Sequence, residues 1–258
     1  MINKKQDISA SIKIDKATAI AAVQYNGWFL KYLNKEFKND REVVLAAVQN
    51  YGEALEYVSE ILRADKEIVL AAVKKHPQAL IFASDVLQTD REFILNVVQK
   101  NGVALAYTNK ELQSDREIVL AAVKNKGLAL MSANKKLQND REIVLFAAKN
   151  CGRILMMVNK KLQNDREIVL AAVQDNGLVL EYANKKLKND REIVLTAVQN
   201  NANALKYVSK ALQSDKEIVL SAVQNEGWAF TYASKYFQSD KELVLRVAQI
   251  LARNEPVK

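Results

Sequence analysis

The sequence is poor in the residues that form most metal and catalytic centres. It contains one cysteine, Cys151, and one histidine, His76, among 258 residues. A single cysteine cannot form an intramolecular disulfide, which fits a reducing compartment. Two ligands of the usual His/Cys type are too few for an ordinary zinc site. The sequence therefore predicts no metal and no cofactor.

Long apolar runs and flexible linkers are also missing. No apolar run approaches the roughly 18 residues that are needed to cross a bilayer. The first residues, 1–7, lack the apolar core of a signal peptide. We therefore expect a cytoplasmic protein, while export by a non-classical route stays open. No stretch rich in proline, glycine and serine divides the chain, so we expect one continuous array.

The charge balance is basic. The formal net charge is +8, from 38 Lys and Arg against 30 Asp and Glu. Such an excess attracts nucleic acid, anionic lipid or an acidic partner, or it simply keeps the protein soluble. Composition alone leaves these interpretations open.

An aspartate recurs every 25 residues along the chain. We number positions 1 to 25 from each of these aspartates, and repeats 1 to 10 from the first. Residues 165–189 form repeat 7 and read D-R-E-I-V-L-A-A-V-Q-D-N-G-L-V-L-E-Y-A-N-K-K-L-K-N. A fixed period of this size is the signature of a stacked-repeat protein. The aspartates are Asp15, Asp40, Asp65, Asp90, Asp115, Asp140, Asp165, Asp190, Asp215 and Asp240.

The aspartate at position 1 predicts a helix over positions 2 to 11. Aspartate is a preferred N-cap because its side chain accepts hydrogen bonds from free amides of the first turn. Glutamate at position 3, replaced only by Ala17, suits the helix dipole. The β-branched run at positions 4 to 9 would also fit a strand, but the cap and the alanines within it favour a helix. The predicted structural caps are Asp40, Asp65, Asp90, Asp115, Asp140, Asp165, Asp190 and Asp215.

The second half of each repeat predicts a shorter helix and a final helical turn. Glycine at position 13, replaced by Pro77 and Ala202, is expected to end the first helix in a left-handed conformation. A short helix is expected at about positions 13 to 19. Asn or Ser at position 20 then caps a turn that places Leu or Phe at position 23. Stacking should bury Leu at 6, Val at 5 and 9, Leu at 16 and Tyr at 18.

The predicted fold is all-α: an α-solenoid, or superhelical stack of ten 25-residue helical repeats, of which the last is partial. Residues 1–14 are expected to form an N-terminal cap with a partial repeat. Residues 15–239 form nine full repeats, and residues 240–258 a C-terminal capping half-repeat and tail. We expect a monomer.

The recurrent motif D-R-E-I-V-L-A-A-V-Q-N-x-G-x-A-L-x-Y-A-N/S-K-x-L-Q-N/S resembles the tandem repeat catalogued as domain of unknown function 4116. The resemblance covers about residues 9–250. It implies an all-helical array with no established activity and no catalytic residues to carry over. Ala17, Pro77 and Ala202 depart from this motif, which puts the local geometry at these positions in question but not the resemblance to the family.

The repeated charges predict structure rather than catalysis. Paired carboxylates can act as acid and base, but a catalytic site is normally singular and these triplets recur in every repeat. We predict no catalytic residues and no enzymatic activity. The cation at position 2 could follow phosphates, but an ion-pair ladder between repeats is favoured because Asp and Glu flank it. His76 and Cys151 both occupy position 12, three repeats apart, which is too far for a catalytic dyad.

Positions 14 and 17 vary among the repeats and are apolar in the middle ones. Because they are three residues apart on a helix, they share one face. An exposed apolar patch would mark an interaction site, whereas packing against neighbouring repeats would make it part of the core; both stay open. The predicted partner-binding face comprises Val103, Leu128, Met131, Arg153, Met156 and Leu178.

Positions 21 and 22 predict a cationic stripe in repeats 5 to 7. The stripe is either a solvated edge or a contact for an acidic partner or phosphate. Its members are Lys135, Lys136, Lys160, Lys161, Lys185 and Lys186.

Two functions fit these features. The favoured one is a non-enzymatic scaffold that binds a protein or peptide through the variable face, with the lysines as a steering rim. The alternative is nucleic-acid binding, mainly non-specific and phosphate-directed, through the lysine stripe and the arginine ladder. A base-reading code is disfavoured because Trp, Val, Leu, Met and Glu dominate the variable positions.

Overall fold

The computed structural model describes residues 14–254, which fall into two compact units that divide between Asn125 and Lys126. Within these residues the regular elements are all helical, so the predicted all-α repeat class is confirmed. The predicted cap at 1–14 lies outside the described residues except for Ile14. The end of the predicted tail, 255–258, lies outside them as well.

Each described repeat begins with a long α-helix. In repeats 1 to 9 this helix spans positions 2 to 11, as the sequence predicts, and in repeat 10 it continues to Asn254. The long helices are Lys16–Tyr25, Arg41–Asn50, Lys66–Lys75, Arg91–Lys100, Arg116–Asn125, Arg141–Asn150, Arg166–Asp175, Arg191–Asn200, Lys216–Asn225 and Lys241–Asn254.

The aspartates at position 1 cap these helices, which confirms the prediction. In repeat 6, Oδ1 of Asp140 accepts from the amides of Glu142 at 3.0 Å and Ile143 at 3.1 Å. All the predicted caps accept a hydrogen bond from the amide at position 4. Each cap therefore satisfies an amide that the helix itself leaves without a partner.

The second element of each repeat is a 3₁₀ helix rather than an α-helix. It spans positions 13 to 18 except in repeat 6, where it is one residue shorter. A run of six residues is long for this helix type, whose hydrogen bonds are poorer. The 3₁₀ helices are Gly27–Tyr32, Gly52–Tyr57, Pro77–Phe82, Gly102–Tyr107, Gly127–Ser132, Gly152–Met156, Gly177–Tyr182, Ala202–Tyr207 and Gly227–Tyr232.

The prediction that glycine at position 13 adopts a left-handed conformation is wrong. No described residue has a positive φ, and the chain turns through an extended residue at position 12, such as Asn26 with φ −153° and ψ 113°. Glycine instead allows the backbones of two neighbouring repeats to approach closely, because a Cβ on Gly27 would overlap the carbonyl oxygen of Ala47 in the next repeat. Pro77 and Ala202 show that two of the joints accommodate the extra carbon.

A short helix or helical turn ends each full repeat. Asn or Ser at position 20 caps it, as predicted; Asn134, for example, accepts from the amide of Leu137 at 2.8 Å. Ser59 differs: its hydroxyl donates to Asn39 but makes no cap bond. The segments are Lys35–Lys38, Glu60–Arg63, Asp85–Thr89, Leu112–Ser114, Leu137–Asn139, Leu162–Asn164, Leu187–Asn189, Leu212–Ser214 and Lys235–Ser239.

The predicted core is confirmed at positions 5, 9 and 16 and is wrong at positions 6 and 18. In repeats 2 to 9, positions 4, 5, 8 and 9 are buried, as at Ile168, Val169 and Ala172, together with each leucine at position 16. Leucine at position 6 and tyrosine at position 18 are only half-buried in repeat 7, as Leu170 and Tyr182. At about 100° per residue, positions 4, 5, 8 and 9 share one face and position 6 falls at its edge.

Candidate docking surface of the short helices

The 3₁₀ helices present rows of side chains to water. In a 3₁₀ helix residues i and i+3 eclipse, so positions 14 and 17 form one row while leucine at position 16 points inward. Leu128, Met131 and Met156 expose 44%, 52% and 44% of their surfaces, and Leu130 between the first two is buried. These apolar side chains therefore face solvent.

The remaining residues of the predicted face divide between the compact units. Arg153 is exposed and Leu178 half-buried, both in the second compact unit with Leu128, Met131 and Met156. Val103 is 40% exposed and lies in the first compact unit. The site described below is confined to the second unit.

Position 18 reveals a departure that the sequence reasoning missed. This position is aromatic in the other full repeats but is Ser132 in repeat 5 and Met157 in repeat 6. Met157 is 44% exposed. The break in an otherwise regular aromatic column is visible in the sequence, but a position predicted to lie in the core does not suggest a surface site.

A recess, which we call the methionine notch, opens beside Met157, where position 18 lacks an aromatic ring. Its volume is about 160 Å³. Five of its seven lining residues are apolar, but polar atoms make up about half of the exposed wall, to which Lys135 and Gln138 contribute. The lining residues are Leu130, Met131, Lys135, Gln138, Ile154, Met157 and Val158.

A second recess, which we call the tyrosine groove, has a volume of about 220 Å³. Arg153 and Met156 line this groove, whereas Ile154 and Met157 line the notch. Positions 14 and 17 of repeat 6 therefore line the groove, and positions 15 and 18 line the notch. The groove is lined by Arg153, Met156, Asn176, Leu178, Val179, Glu181, Tyr182 and Tyr207.

The backbone of repeat 6 is irregular at the same place. Its 3₁₀ helix ends at Met156, one residue early. The next residue, Met157, has helical dihedrals, whereas the residue after the helix in repeat 7, Ala183, is extended. Both the Met157 and the Val158 amides donate to the Ile154 carbonyl, at 2.8 and 3.2 Å. Gln163 is the single buried polar residue of the described part, and it donates to the Leu155 carbonyl at 2.9 Å.

The six lysines of the predicted stripe are all exposed. Lys135 donates to Gln138 at 3.2 Å and Lys160 to Gln163 at 2.9 Å. None of the ion pairs found in residues 14–254 includes one of the six. Burial lowers the pKa of nearby Lys188; Glu181 opposes that shift and the charge of Lys160 adds to it. This edge therefore carries positive charge that internal carboxylates leave without a salt bridge.

The position 2 cations, in contrast, are engaged between repeats, which confirms the predicted ladder. Arg141 Nε lies 2.6 Å from Asp165, and its terminal nitrogen lies 2.7 Å from Glu167. A guanidinium that contacts two carboxylates offers little unpaired charge to a phosphate. The corresponding pairs join Lys16 to Asp40 and Glu42, Arg41 to Asp65 and Glu67, Lys66 to Asp90, Arg91 to Asp115 and Glu117, Arg166 to Asp190 and Glu192, Arg191 to Asp215 and Glu217, and Lys216 to Glu242.

A second joint between repeats was not predicted. Asn200, at position 11, accepts from the Gly177 amide at 2.7 Å and donates to the Gln174 carbonyl at 2.9 Å. Asn50 and Asn125 make the same two bonds to the preceding repeat. We call this pair of bonds the asparagine clamp. It explains why asparagine recurs at the last position of the long helix.

His76 takes over half of this clamp. Position 11 of repeat 3 is Lys75, which has no acceptor, and Nδ1 of His76 accepts from the Gly52 amide at 3.1 Å instead. The imidazole also packs edge-on against Tyr51, with ring centroids 5.4 Å apart. Cys151 is half-buried and lies in the other compact unit. The described residues hold no group of three or more His, Cys, Asp or Glu placed to bind a metal ion.

Among residues 14–254, none of the helices combines the length and apolar character that crossing a bilayer requires.

These features define an all-α tandem-repeat protein of the α-solenoid class. The family model described as Domain of unknown function (DUF4116) matches residues 15–63, 65–113, 115–163, 165–213 and 215–250. The chain therefore belongs to this family, as its motif predicts. Each of the first four matches covers two 25-residue repeats. No curated protein and no solved structure matches the chain.

Proposed function

We propose that the chain is a non-enzymatic scaffold that binds a protein or peptide partner through the 3₁₀ helices of repeats 5 to 7. The observation that carries this proposal is the exposed apolar row of Leu128, Met131 and Met156, with Met157 beside it. Exposed apolar clusters typically mark interaction sites, and methionine adapts its shape to a partner. The two recesses next to the row support the same function.

The proposal includes a monomer that works in the cytoplasm. The single cysteine, which cannot form an intramolecular disulfide, supports a reducing compartment. Most of the repeated charges are engaged in a cap or an ion pair, which supports a structural role for the Asp-Arg-Glu triplets rather than a catalytic one.

The double substitution Met131→Glu with Met156→Glu tests the docking surface. Both side chains are about half exposed, so the new carboxylates reach water and the melting temperature should not change. A displayed library of random 12-residue peptides, selected on the wild-type chain, should give enriched sequences that do not bind the variant.

The matched control is Gln174→Glu with Ala211→Glu, which adds the same charge at exposed positions outside the row. This control should bind the enriched peptides as the wild type does. A large fall in the melting temperature of the methionine variant would show that the row is core, and equal loss in both variants would show that charge alone matters.

Non-specific nucleic-acid binding is the second candidate, and the lysine stripe without internal salt bridges favours it. Labelled single-stranded and duplex DNA and RNA are titrated with the protein at several salt concentrations, with fluorescence anisotropy as the readout. Micromolar or tighter binding with a steep salt slope would favour phosphate contacts. No binding at low salt would leave the apolar row as the working site.

A further inference from the structure

The charges around the methionine notch are mostly of one sign. Lys135 forms part of its wall, and Lys136, Lys160 and Lys161 are exposed on the short segments of the same two repeats. Arg153 is exposed at the mouth of the tyrosine groove. The carboxylate at these recesses is Glu181, which lines the groove. A partner that fits both recesses therefore meets walls that combine apolar and polar groups within a positive field.

The volumes of the recesses set the size of what they hold. An apolar cavity of roughly 150 Å³ is large enough for one benzene ring. The notch, at about 160 Å³, therefore accommodates one leucine or phenylalanine side chain. The groove is somewhat larger, at about 220 Å³, and Tyr182 and Tyr207 are among its lining residues, so it can hold a second side chain.

We propose, building on the docking function above, that the partner is an acidic peptide segment with two apolar anchor residues. One anchor fills the methionine notch and the other the tyrosine groove, so that the segment crosses the repeat 6 helix Gly152–Met156. Aspartate or glutamate side chains beside the anchors pair with Lys135, Lys160 and Arg153.

The wall of the methionine notch favours a peptide over a nucleic acid. Single-stranded nucleic acid is held by aromatic side chains on which successive bases stack. The methionine notch has no aromatic side chain in its wall, because its repeats lack the ring that occupies position 18 elsewhere. The arginine ladder is already paired with carboxylates, which leaves the lysines as the main free cations.

Met157→Tyr is the central test, because it restores the residue that position 18 carries in most repeats. The variant is expected to fold and to fill the notch. Met157→Leu keeps an apolar side chain of similar size and leaves the notch open. We expect Met157→Tyr to weaken binding of the enriched peptides at least tenfold, and Met157→Leu to change it less than threefold, as measured by fluorescence anisotropy.

The charge requirement is tested on both partners. Peptides enriched from the random library on the wild-type chain should combine acidic and apolar residues, and their Asp→Asn and Glu→Gln versions should bind at least tenfold more weakly. Lys135→Glu with Lys160→Glu should weaken binding of the acidic peptides to a similar extent. The control pair Lys210→Glu with Lys235→Glu, at the same position in repeats 8 and 9, should have little effect.

The outcomes separate this inference from the docking function. Enriched peptides that are neutral or basic, yet fail to bind Met131→Glu with Met156→Glu, would overturn the acidic partner and leave the docking surface intact. Acidic peptides that bind Met157→Tyr as well as the wild type would overturn the notch as anchor site. If no peptide is enriched on the wild type over the double glutamate variant, both proposals are wrong.

Discussion

At the scale of single residues, one aspartate side chain per repeat performs two tasks. Oδ1 of Asp165 accepts from the amides of Glu167 and Ile168, at 3.1 and 3.2 Å, and so caps its own helix. Oδ2 lies 2.6 Å from Nε of Arg141 in the preceding repeat. The same carboxylate therefore begins a helix and joins two repeats.

These two tasks can be separated by substitution. Asp165→Asn keeps an oxygen that can cap the helix but removes the charge, and an exposed ion pair contributes at most about 1 kcal/mol. Asp165→Ala removes both, and loss of the cap costs about a further 1 kcal/mol. Urea denaturation should rank the free energies of unfolding as wild type, Asn variant, Ala variant. Equal stability of the two variants would contradict the cap.

At the scale of elements, the asparagine clamp ties the 3₁₀ helices of repeats 1, 4 and 7 to the following long helix. The clamp satisfies the amide at position 13, which no carbonyl of its own repeat reaches, because it is the first residue of a helix. In repeat 7 the clamp residue is Asp175, which accepts from Gly152 at 2.7 Å. A carboxylate has no proton to donate, so repeat 7 retains only one of the two clamp bonds, the one accepted from the amide.

Substitutions at Asn200 test which half of the clamp matters. Asn200→Asp keeps the acceptor for Gly177, as repeat 7 does naturally with Asp175, and should cost less than about 1 kcal/mol. Asn200→Leu leaves the partly buried amide without a partner and should cost about 1–3 kcal/mol. Thermal unfolding followed by circular dichroism measures both. Equal losses would mean that the donated bond to Gln174 carries the stabilisation.

The sequence predicts the long helices well because their start is encoded locally. A cap at position 1 acts within its own first turn, as at Asp140, so pattern and structure agree. The 3₁₀ geometry, the asparagine clamp and the close approach at Gly27 depend on the adjacent repeat, which no local pattern displays. The sequence shows Met157 as an exception to the repeat, but the recess beside it depends on the positions of Ile154 and Val158 in the fold, which the sequence pattern does not give.

At the scale of the whole molecule, the same carboxylate–cation pair recurs along the array, so its response to pH is multiplied. The guanidinium of Arg91, through its hydrogen bond, holds the pKa of Asp115 below its usual value, and Arg166 does the same for Asp190. Hydrogen bonds from the lysines of the preceding repeats lower the pKa of Asp40 and Asp90. All these carboxylates titrate at a lower pH in the folded protein than in the unfolded chain.

The sign of the pH dependence follows from these shifts. A carboxylate whose folded pKa is depressed stabilises the protein above its unfolded pKa, and this stability is lost as the pH falls through the folded pKa. The melting temperature should therefore stay nearly constant from pH 7 to about 5 and fall steeply below about 4, where unfolded aspartate titrates. Scanning calorimetry at these pH values measures it, and a constant melting temperature down to pH 3 would contradict the ladder's contribution.

The clamp also bears on how the protein ages chemically. Asn–Gly sequences deamidate when the glycine nitrogen attacks the preceding side-chain carbonyl and closes a succinimide ring. In Asn176–Gly177 that nitrogen donates to Asn200, while Oδ1 of Asn176 accepts from Leu178 at 3.1 Å. Both reacting groups are held in other bonds as long as the joint is closed. Isoaspartate at an Asn–Gly pair of this kind would therefore form only while the clamp at that pair is open. Its accumulation over weeks of storage would record which repeats separate most often.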